Sequence, residues 1–217
     1  MRVNILMKHL FLLVICLVLY TSTCSAQAFA APGDLDLTFS DDGVALDLIQ
    51  PDVNYITAVA VQPDGKIVVA GNSRFNAAYS FDLAVARYNT DGTLDTSFDF
   101  DGFAILGIVP SGVVVNAMAL QPVIAGYFFN GSNNDVIVVR YNSNGSLDAT
   151  FDIEGIVSTD ISNGNEQGFG VAIQSDGKIV VGGQYSSGGP WQFLLIRYDT
   201  DGSLDTTFDS DGIVITT

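Results

Sequence analysis

The sequence predicts an all-β protein built from repeated four-stranded units. Three sequence elements recur along the chain in a fixed order, and each unit alternates short β-rich runs with Asp-Gly or Asn-Gly turns. No window of the repeated region shows the apolar period of a helix. Self-similarity of this kind indicates supersecondary units that stack on one another.

The first repeated element has the pattern LDxTFxxDG, and its four copies lie at residues 35–43, 94–102, 147–155 and 204–212. The second element reads AVAVQPDGKIVVAG at 58–71 and GVAIQSDGKIVVGG at 170–183, with a degenerate copy, AMALQPVIAG, at 117–126. The third element, of the type RYNxDG, ends the segments 83–92, 136–145 and 194–202. Because the phenylalanine of the first element recurs so regularly, we expect a core position for Phe39, Phe98, Phe151 and Phe208.

The elements of the first unit predict four short strands, at 58–61, 66–70, 83–88 and 103–108. The first two are joined by the turn Gln62-Pro63-Asp64-Gly65, in which Pro presets φ and Gly tolerates a positive φ. The second unit lacks this turn, so we expect a shorter hairpin there and the least regular of the three units. Four antiparallel strands in a repeat of this size are typical of a β-propeller blade.

The combination of VQPDGKIVVAG with RYNxDGxLDxxFxxDG resembles the delta-60 repeat, a β-propeller repeat of exported bacterial proteins. The resemblance extends over residues 34–217. It implies the propeller fold, but it implies no catalytic residue, because the family is defined by its fold and has no assigned biochemical role.

The number of repeats is low for a propeller. The units span approximately 50–108, 109–160 and 161–217 and are preceded by the extra N-terminal copy of LDxTFxxDG. Propellers typically close with about 4 to 8 blades, so three blades leave exposed faces and sheet edges. The chain is a fragment of a longer propeller, or two copies associate into a six-bladed ring, or three blades form an open arc. If copies associate, the extra N-terminal strand can pair with a partner's last blade.

The first 30 residues have the pattern of an export signal. Arg2 and Lys8 precede an apolar run at 10–20, and Ala28-Phe29-Ala30 matches a signal-peptidase site. The run is shorter than the ~20 residues of a membrane span, and a lipoprotein signal cut before Cys24 is the alternative. We therefore expect a protein that is secreted or at the cell surface, with one repeat domain at 31–217 and no membrane insertion after cleavage.

Composition excludes several classes of chemistry. Both cysteines and the single histidine lie within the first 24 residues, so the mature chain lacks Cys and His. This excludes Ser-His-Asp catalysis, the usual zinc sites and disulfides. The whole chain has 8 Lys and Arg against 24 Asp and Glu, a formal net charge of −16, and such a surface repels phosphate groups, so we expect no nucleic-acid partner.

Aspartates cluster in the turns, and the densest group offers a candidate calcium site: Asp199, Asp201, Asp205, Asp209 and Asp211. Calcium takes about 6 to 8 oxygen ligands, which closely spaced aspartates can supply. The alternative is that these residues only close turns, because Asp accepts hydrogen bonds from nearby backbone groups. Apart from this possible calcium, the sequence points to no cofactor.

The arginine of each RY pair also has two interpretations. Arg87, Arg140 and Arg197 would form an anion-binding ring or, the interpretation that we favour, brace each unit by pairing with the repeated aspartates Asp95, Asp148 and Asp205.

Aromatic residues between the second and third strands are the candidate ligand contacts. We place Tyr79, Tyr127, Phe128 and Trp191 in the variable loops 72–81, 127–134 and 184–192, which suit an unidentified protein or carbohydrate ligand. The alternative is that these rings pack between blades.

The sequence thus favours an exported, non-enzymatic binding or structural module with an unknown ligand. One alternative is a carboxylate-based glycoside hydrolase, for which Glu166, in the loop SNGNEQG, is the main candidate. The other is a calcium-stabilised spacer or adhesion module.

Overall fold

A computed structural model describes residues 33–47, 53–74, 81–107 and 112–216. The proposed export signal lies outside these residues, as does Tyr79. Within the described ranges, no helix has the length and hydropathy that crossing a bilayer requires.

The segment from Leu37 to Thr217 forms one compact unit that contains three four-stranded antiparallel sheets, with strand orders β1-β2-β3-β4, β5-β6-β7-β8 and β9-β10-β11-β12. We number them sheets 1, 2 and 3. The strands are β1 (Val53–Val61), β2 (Ile67–Arg74), β3 (Asp82–Tyr88), β4 (Phe103–Leu106), β5 (Val113–Ala119), β6 (Val123–Phe129), β7 (Asn134–Arg140), β8 (Ile156–Thr159), β9 (Asn165–Ile173), β10 (Ile179–Ser186), β11 (Gln192–Tyr198) and β12 (Ile213–Thr216).

The predicted strands are present, and most of the differences are in their length. Strand β1 begins at Val53 rather than at residue 58, and β2 continues to Arg74. The hairpin of sheet 2 is shorter, as expected, and Gln121 adopts a left-handed φ of 67° in it. The expected irregularity is confined to this turn, because sheet 2 keeps the register and the bulge of the other two sheets.

A glycine is required opposite each bulge. The register of the first two strands shifts between Ile56 and Ala58 in sheet 1, and at matching points in sheets 2 and 3. The backbone of the first strand there approaches Gly71, Gly126 or Gly183 so closely that a Cβ atom would overlap a carbonyl group. This explains why the second element ends in glycine even in its degenerate copy.

The core lies between neighbouring sheets. Side chains alternate along each strand, so that Ile137 and Val139 of β7 face sheet 1, while Val136 and Val138 face sheet 3. Of the repeated phenylalanines, Phe98 and Phe151 are completely buried, as predicted. Phe39 and Phe208, at the two ends of the array, are only partly buried.

The same hydrogen bond joins each repeat to the next. The residue after the repeated phenylalanine donates its amide proton to a turn carbonyl of the following unit: Asp99 to Asn144 at 2.7 Å and Asp152 to Asp201 at 2.6 Å. The N-terminal copy makes this bond too, from Ser40 to Asp91 at 2.7 Å. The extra copy therefore contacts sheet 1 as a preceding unit would, although its described residues form no strand.

The glycine after this carbonyl leaves room for the contact. Gly145 has a φ of 92°, and a Cβ atom on it would lie 2.6 Å from the Asp99 amide nitrogen. Gly131 has a similar φ of 107°, but a Cβ atom there would meet nothing within 4 Å. A comparison of alanine substitutions at Gly145 and Gly131 therefore distinguishes the free-energy cost of a strained backbone from the cost of disturbing the contact between the sheets.

We predict that Gly145→Ala lowers the free energy of unfolding by about 3 kcal/mol, and that Gly131→Ala lowers it by about 1 kcal/mol. Both alanines strain a left-handed backbone, but only the first separates sheets 1 and 2. Urea unfolding followed by circular dichroism measures both values. Equal losses in the two variants would show that the inter-sheet contact contributes little.

Candidate functional site

The repeated arginines brace the sheets, as predicted. The Nε atoms of Arg87, Arg140 and Arg197 lie 2.6, 2.8 and 2.6 Å from carboxylate oxygens of Asp95, Asp148 and Asp205. Each guanidinium group also lies over the repeated phenylalanine, with Arg140 4.5 Å from the ring centre of Phe151. We call each such set an Arg–Asp–Phe cluster. With these partners, the arginines are engaged in structure and do not form an open anion-binding ring.

Two of the clusters also join neighbouring sheets. Arg140 Nη1 donates to the Thr200 carbonyl oxygen of the next unit at 2.6 Å, and Arg87 Nη1 donates to the carbonyl oxygen of Ser143. In sheet 3, Arg197 is the equivalent of Arg87 and Arg140, and the backbone amide of Asp209 is the equivalent of the Asp99 and Asp152 amides. Neither Arg197 Nη1 nor the Asp209 amide makes an inter-sheet hydrogen bond within the described residues.

The aspartates proposed as calcium ligands take part in turns and ion pairs. Asp201 accepts hydrogen bonds from the amide and hydroxyl of Ser203, which lower the pKa of its carboxyl group. Hydrogen bonds from Lys178 and from Thr207 and Arg197 hold the pKa of Asp205 far below its usual value, against the effect of burial. Asp199 pairs with Lys178, Asp211 accepts from the Ile213 amide, and Asp209 has a left-handed φ. Calcium binding by these five residues stays a prediction.

The aromatic candidates within the described residues do not share one loop surface. Tyr127 and Phe128, placed in a loop from the sequence, lie in strand β6, and Phe128 packs against the core between sheets 1 and 2. Strand β6 extends further than expected, which leaves only residues 130–133 as the connection to β7. Trp191 does lie in a connection, and half of its surface is exposed. It lines a shallow groove of about 300 Å³ together with Phe169 and Phe193.

This groove belongs to the face of sheet 3 that points away from sheet 2. Leu194 and Ile196 of β11 are buried against sheet 2, so Phe193 and Leu195 point to the opposite side. Phe193 is 79% exposed and Leu195 is 42% exposed. By strand register, they correspond to Val136 and Val138 of β7, which are completely buried against sheet 3. We call this surface, with Phe169 and Trp191, the outer face of sheet 3.

A cavity of about 900 Å³ lies at the hairpin ends of the sheets and is lined by turns of all three units, including Gln62, Gln121 and Gly177. Gln62 and Tyr141 are among its lining residues, and the side-chain oxygens of both are buried without a hydrogen-bond partner within the described residues. Burial raises the pKa of the Tyr141 hydroxyl.

Glu166 is not in a loop, as the sequence suggested, but near the start of strand β9, and its side chain is completely buried. A carboxylate oxygen of Glu166 lies within 4.8 Å of one from Asp135 and one from Asp160. We call these three residues the acidic cluster. Burial, together with the charges of Asp160 and Asp135 and opposed in part by the Ile161 backbone, raises the pKa of Glu166 to about 7.

The other two members of the acidic cluster have partners of their own. Asp135 is buried and accepts hydrogen bonds from Asn130 at 2.9 and 3.0 Å, and burial raises its pKa. Asp160 is exposed and accepts from the amide of Asn163 at 2.9 Å. Sequence reasoning missed both residues. Repeat comparison could have singled out Asp160, whose position is glycine in the first unit, but not Asp135, whose equivalent there is also an aspartate, Asp82.

The three sheets, their shared bulge and the repeated inter-sheet contacts define a β-propeller-type repeat protein. The sequence matches the family described as a domain of unknown function (DUF5122) beta-propeller over residues 62–98, 123–151 and 174–208. Each matched segment contains the second and third strands of one sheet and ends at or near the repeated phenylalanine. No curated protein matches the chain significantly. The chain is therefore a β-propeller-type repeat protein, and the family that its three segments match is described as one of unknown function.

The buried Arg–Asp–Phe cluster of sheet 1 predicts a defined pH dependence. Burial raises the pKa of the Asp95 carboxyl group. Hydrogen bonds from Lys66, Ser97 and Arg87 outweigh this effect and lower the pKa below its usual value. A carboxyl group whose folded pKa is lowered stabilises the fold above its unfolded pKa of about 4, and this contribution is lost as the pH falls below that value.

We predict that Asp95→Asn costs about 3 kcal/mol of unfolding free energy at pH 7, because it leaves two cations without their carboxylate. The difference from the wild type should shrink as the pH falls below about 4, in urea titrations at a series of pH values. Asp91→Asn is the control, since Asp91 is exposed and asparagine already holds that position in the second unit, as Asn144. A loss at pH 7 that persists at acid pH would contradict the electrostatic explanation.

Proposed function

We propose that the chain is an exported, non-enzymatic binding or structural module that acts at or outside the cell surface, and that it binds through the outer face of sheet 3. The observation that carries this proposal is the exposure of Phe193 and Leu195 at positions that are completely buried between sheets 2 and 3. Exposed apolar patches rimmed by polar groups are typical of protein contact sites.

The geometry of the repeats indicates what fits this face. The inter-sheet donors of the third unit, Arg197 Nη1 and the Asp209 amide, match an RYNxDG turn with its glycine and carbonyl groups. A further blade of the same type supplies that turn and an apolar face together. We propose that a second copy of this chain provides it, through its sheet 1.

Sheet 1 of a second copy has the required surface. Val69, Ala86 and Tyr88 form a small apolar cluster on the side away from sheet 2, with Ala45 of the N-terminal segment packed against it. The described part of that segment forms no strand and leaves Val44 and Leu46 exposed. A partner's sheet 3 can displace it. Two copies supply six blades, within the range of about 4 to 8 at which propellers close.

Export and the finer assignment to the delta-60 repeats are parts of this proposal. Support for export comes from the signal-like pattern of the first 30 residues. Support for the delta-60 assignment comes from the joined motif RYNxDGxLDxxFxxDG.

The hydrolase alternative gains no support from the site geometry. The acidic cluster contains carboxylates with a raised pKa, as a general acid needs, but Glu166 has no exposed surface. A glycosidic oxygen must come within hydrogen-bond distance of the acid that protonates it. We therefore assign the acidic cluster no catalytic role.

We predict that the mature chain, residues 31–217, associates with itself in light scattering, and that Phe193→Asp weakens this association by about tenfold or more, since it places a charge in the apolar contact. Phe100→Asp is the matched control, because Phe100 is 96% exposed but lies in a turn of the first unit. A mass of one chain at all concentrations, or equal effects of the two variants, would contradict self-association through the outer face.

A further inference from the structure

The acidic cluster has the dimensions of a calcium site. Its three carboxylate oxygens, one from each residue, all lie within 4.8 Å of one another. Ligand oxygens lie about 2.4 Å from a bound Ca²⁺, so two oxygens on one ion are at most about 4.8 Å apart. It is the one group of three such residues that meets this distance within the described part of the chain.

Glu166 supplies a second, independent observation. Its side chain is completely buried, and no hydrogen bond of good geometry reaches either of its carboxylate oxygens within the described residues; the backbone of Ile161 is the one nearby group that lowers its pKa. Burying a carboxylate without a donor or a cation is strongly unfavourable, so buried carboxylates are nearly always paired or bound to a metal. Its two neighbours in the cluster are acids, which increase the cost. A divalent cation between the three residues removes it.

The equivalent junction between sheets 1 and 2 shows that packing does not require these acids. Strand register aligns Asp135, Asp160 and Glu166 with Asp82, Gly107 and Val113. The spacing along the chain is also the same, since Leu106 and Val113 are as far apart in sequence as their equivalents Thr159 and Glu166. Val113 is buried in the core at the position of Glu166. One junction is thus closed with an apolar residue and one acid, and the other with three acids.

From this arrangement we propose that Asp135, Asp160 and Glu166 bind a calcium ion at the junction between sheets 2 and 3. All three donors are hard oxygen ligands, which suit calcium, and no His or Cys is present in the mature chain to favour zinc or copper. Magnesium is disfavoured because it demands a near-octahedral set and retains most of its water. The exposed side of Asp160 gives the ion a path from solvent and leaves room for water ligands.

Such an ion connects the two sheets. Asp135 lies in β7 of sheet 2, Glu166 lies in β9 of sheet 3, and Asp160 lies in the connection between the sheets. Extracellular calcium modules bind with dissociation constants of about 10⁻⁴–10⁻³ M. The site and the outer face of sheet 3 are separate, so this inference does not depend on self-association.

Calcium titration of the mature chain tests the proposal. We expect CaCl₂ added to chelator-treated protein to raise the melting temperature. Terbium, which replaces calcium at oxygen sites, should emit light on excitation of tyrosine, because the Tyr185 ring lies against Gly164, next to the cluster. Glu166→Val, which copies the Val113 junction, should weaken both responses by about tenfold or more. If the Glu166→Val variant does not fold, Glu166→Gln is tested instead, because glutamine keeps the size of the side chain.

Two control variants locate the ion. Asp82→Asn changes the equivalent of Asp135 at the junction that lacks the other two acids, and Asp201→Asn changes an aspartate of the densest turn group. Both should retain the calcium response of the wild type. The proposal is overturned if the wild type does not respond to calcium, if Glu166→Val responds as the wild type does, or if the response is lost in Asp201→Asn alone.

Discussion

The arrangement of the three sheets depends on the pairing of one arginine with one aspartate in each unit. The Nε atom of the arginine binds the aspartate of its own sheet, and the guanidinium plane covers the repeated phenylalanine. In the first two units, Nη1 then reaches a carbonyl of the next sheet. Only a planar group with several fixed donors can make these contacts at once, so lysine cannot replace it.

Much of the fold could be predicted from the sequence because its signals are local. Asp-Gly turns and β-branched runs specify hairpins, and their repetition specifies identical sheets. The pairing of Arg87, Arg140 and Arg197 with aspartates followed from the same repetition. The ends of the strands were less predictable, because a strand such as β6 continues through Tyr127 and Phe128 only where the neighbouring strands extend as well.

The acidic cluster could not be predicted as a site. Asp135, Asp160 and Glu166 come from two sheets and the connection between them, and they meet only because the sheets stack. The polar sequence around Glu166 suggested a loop, since a completely buried glutamate among Asn, Gly and Gln has no local signature. Comparison of equivalent positions is more informative here than motif spacing, because it shows which residues the fold itself does not need.

The two departures from the repeat have different origins. Phe193 and Leu195 keep the apolar character of their equivalents but are exposed in the described structure. The acidic cluster keeps its neighbours but has changed its chemistry. The first is a consequence of position in the array, and the second is a property of one junction.

The hydrogen bond from the residue after each phenylalanine to the next turn has a genetic consequence. Ser40, Asp99 and Asp152 all donate through the backbone, so the bond does not depend on which side chain is present. As far as this bond is concerned, any unit can follow any other, and the bond does not encode how many units the chain should have. Unequal recombination within such a gene can add or remove a whole unit and preserve this contact at the new boundary. In proteins built from such units, the number of blades then depends on which number allows the ring to close, and not on a single interface.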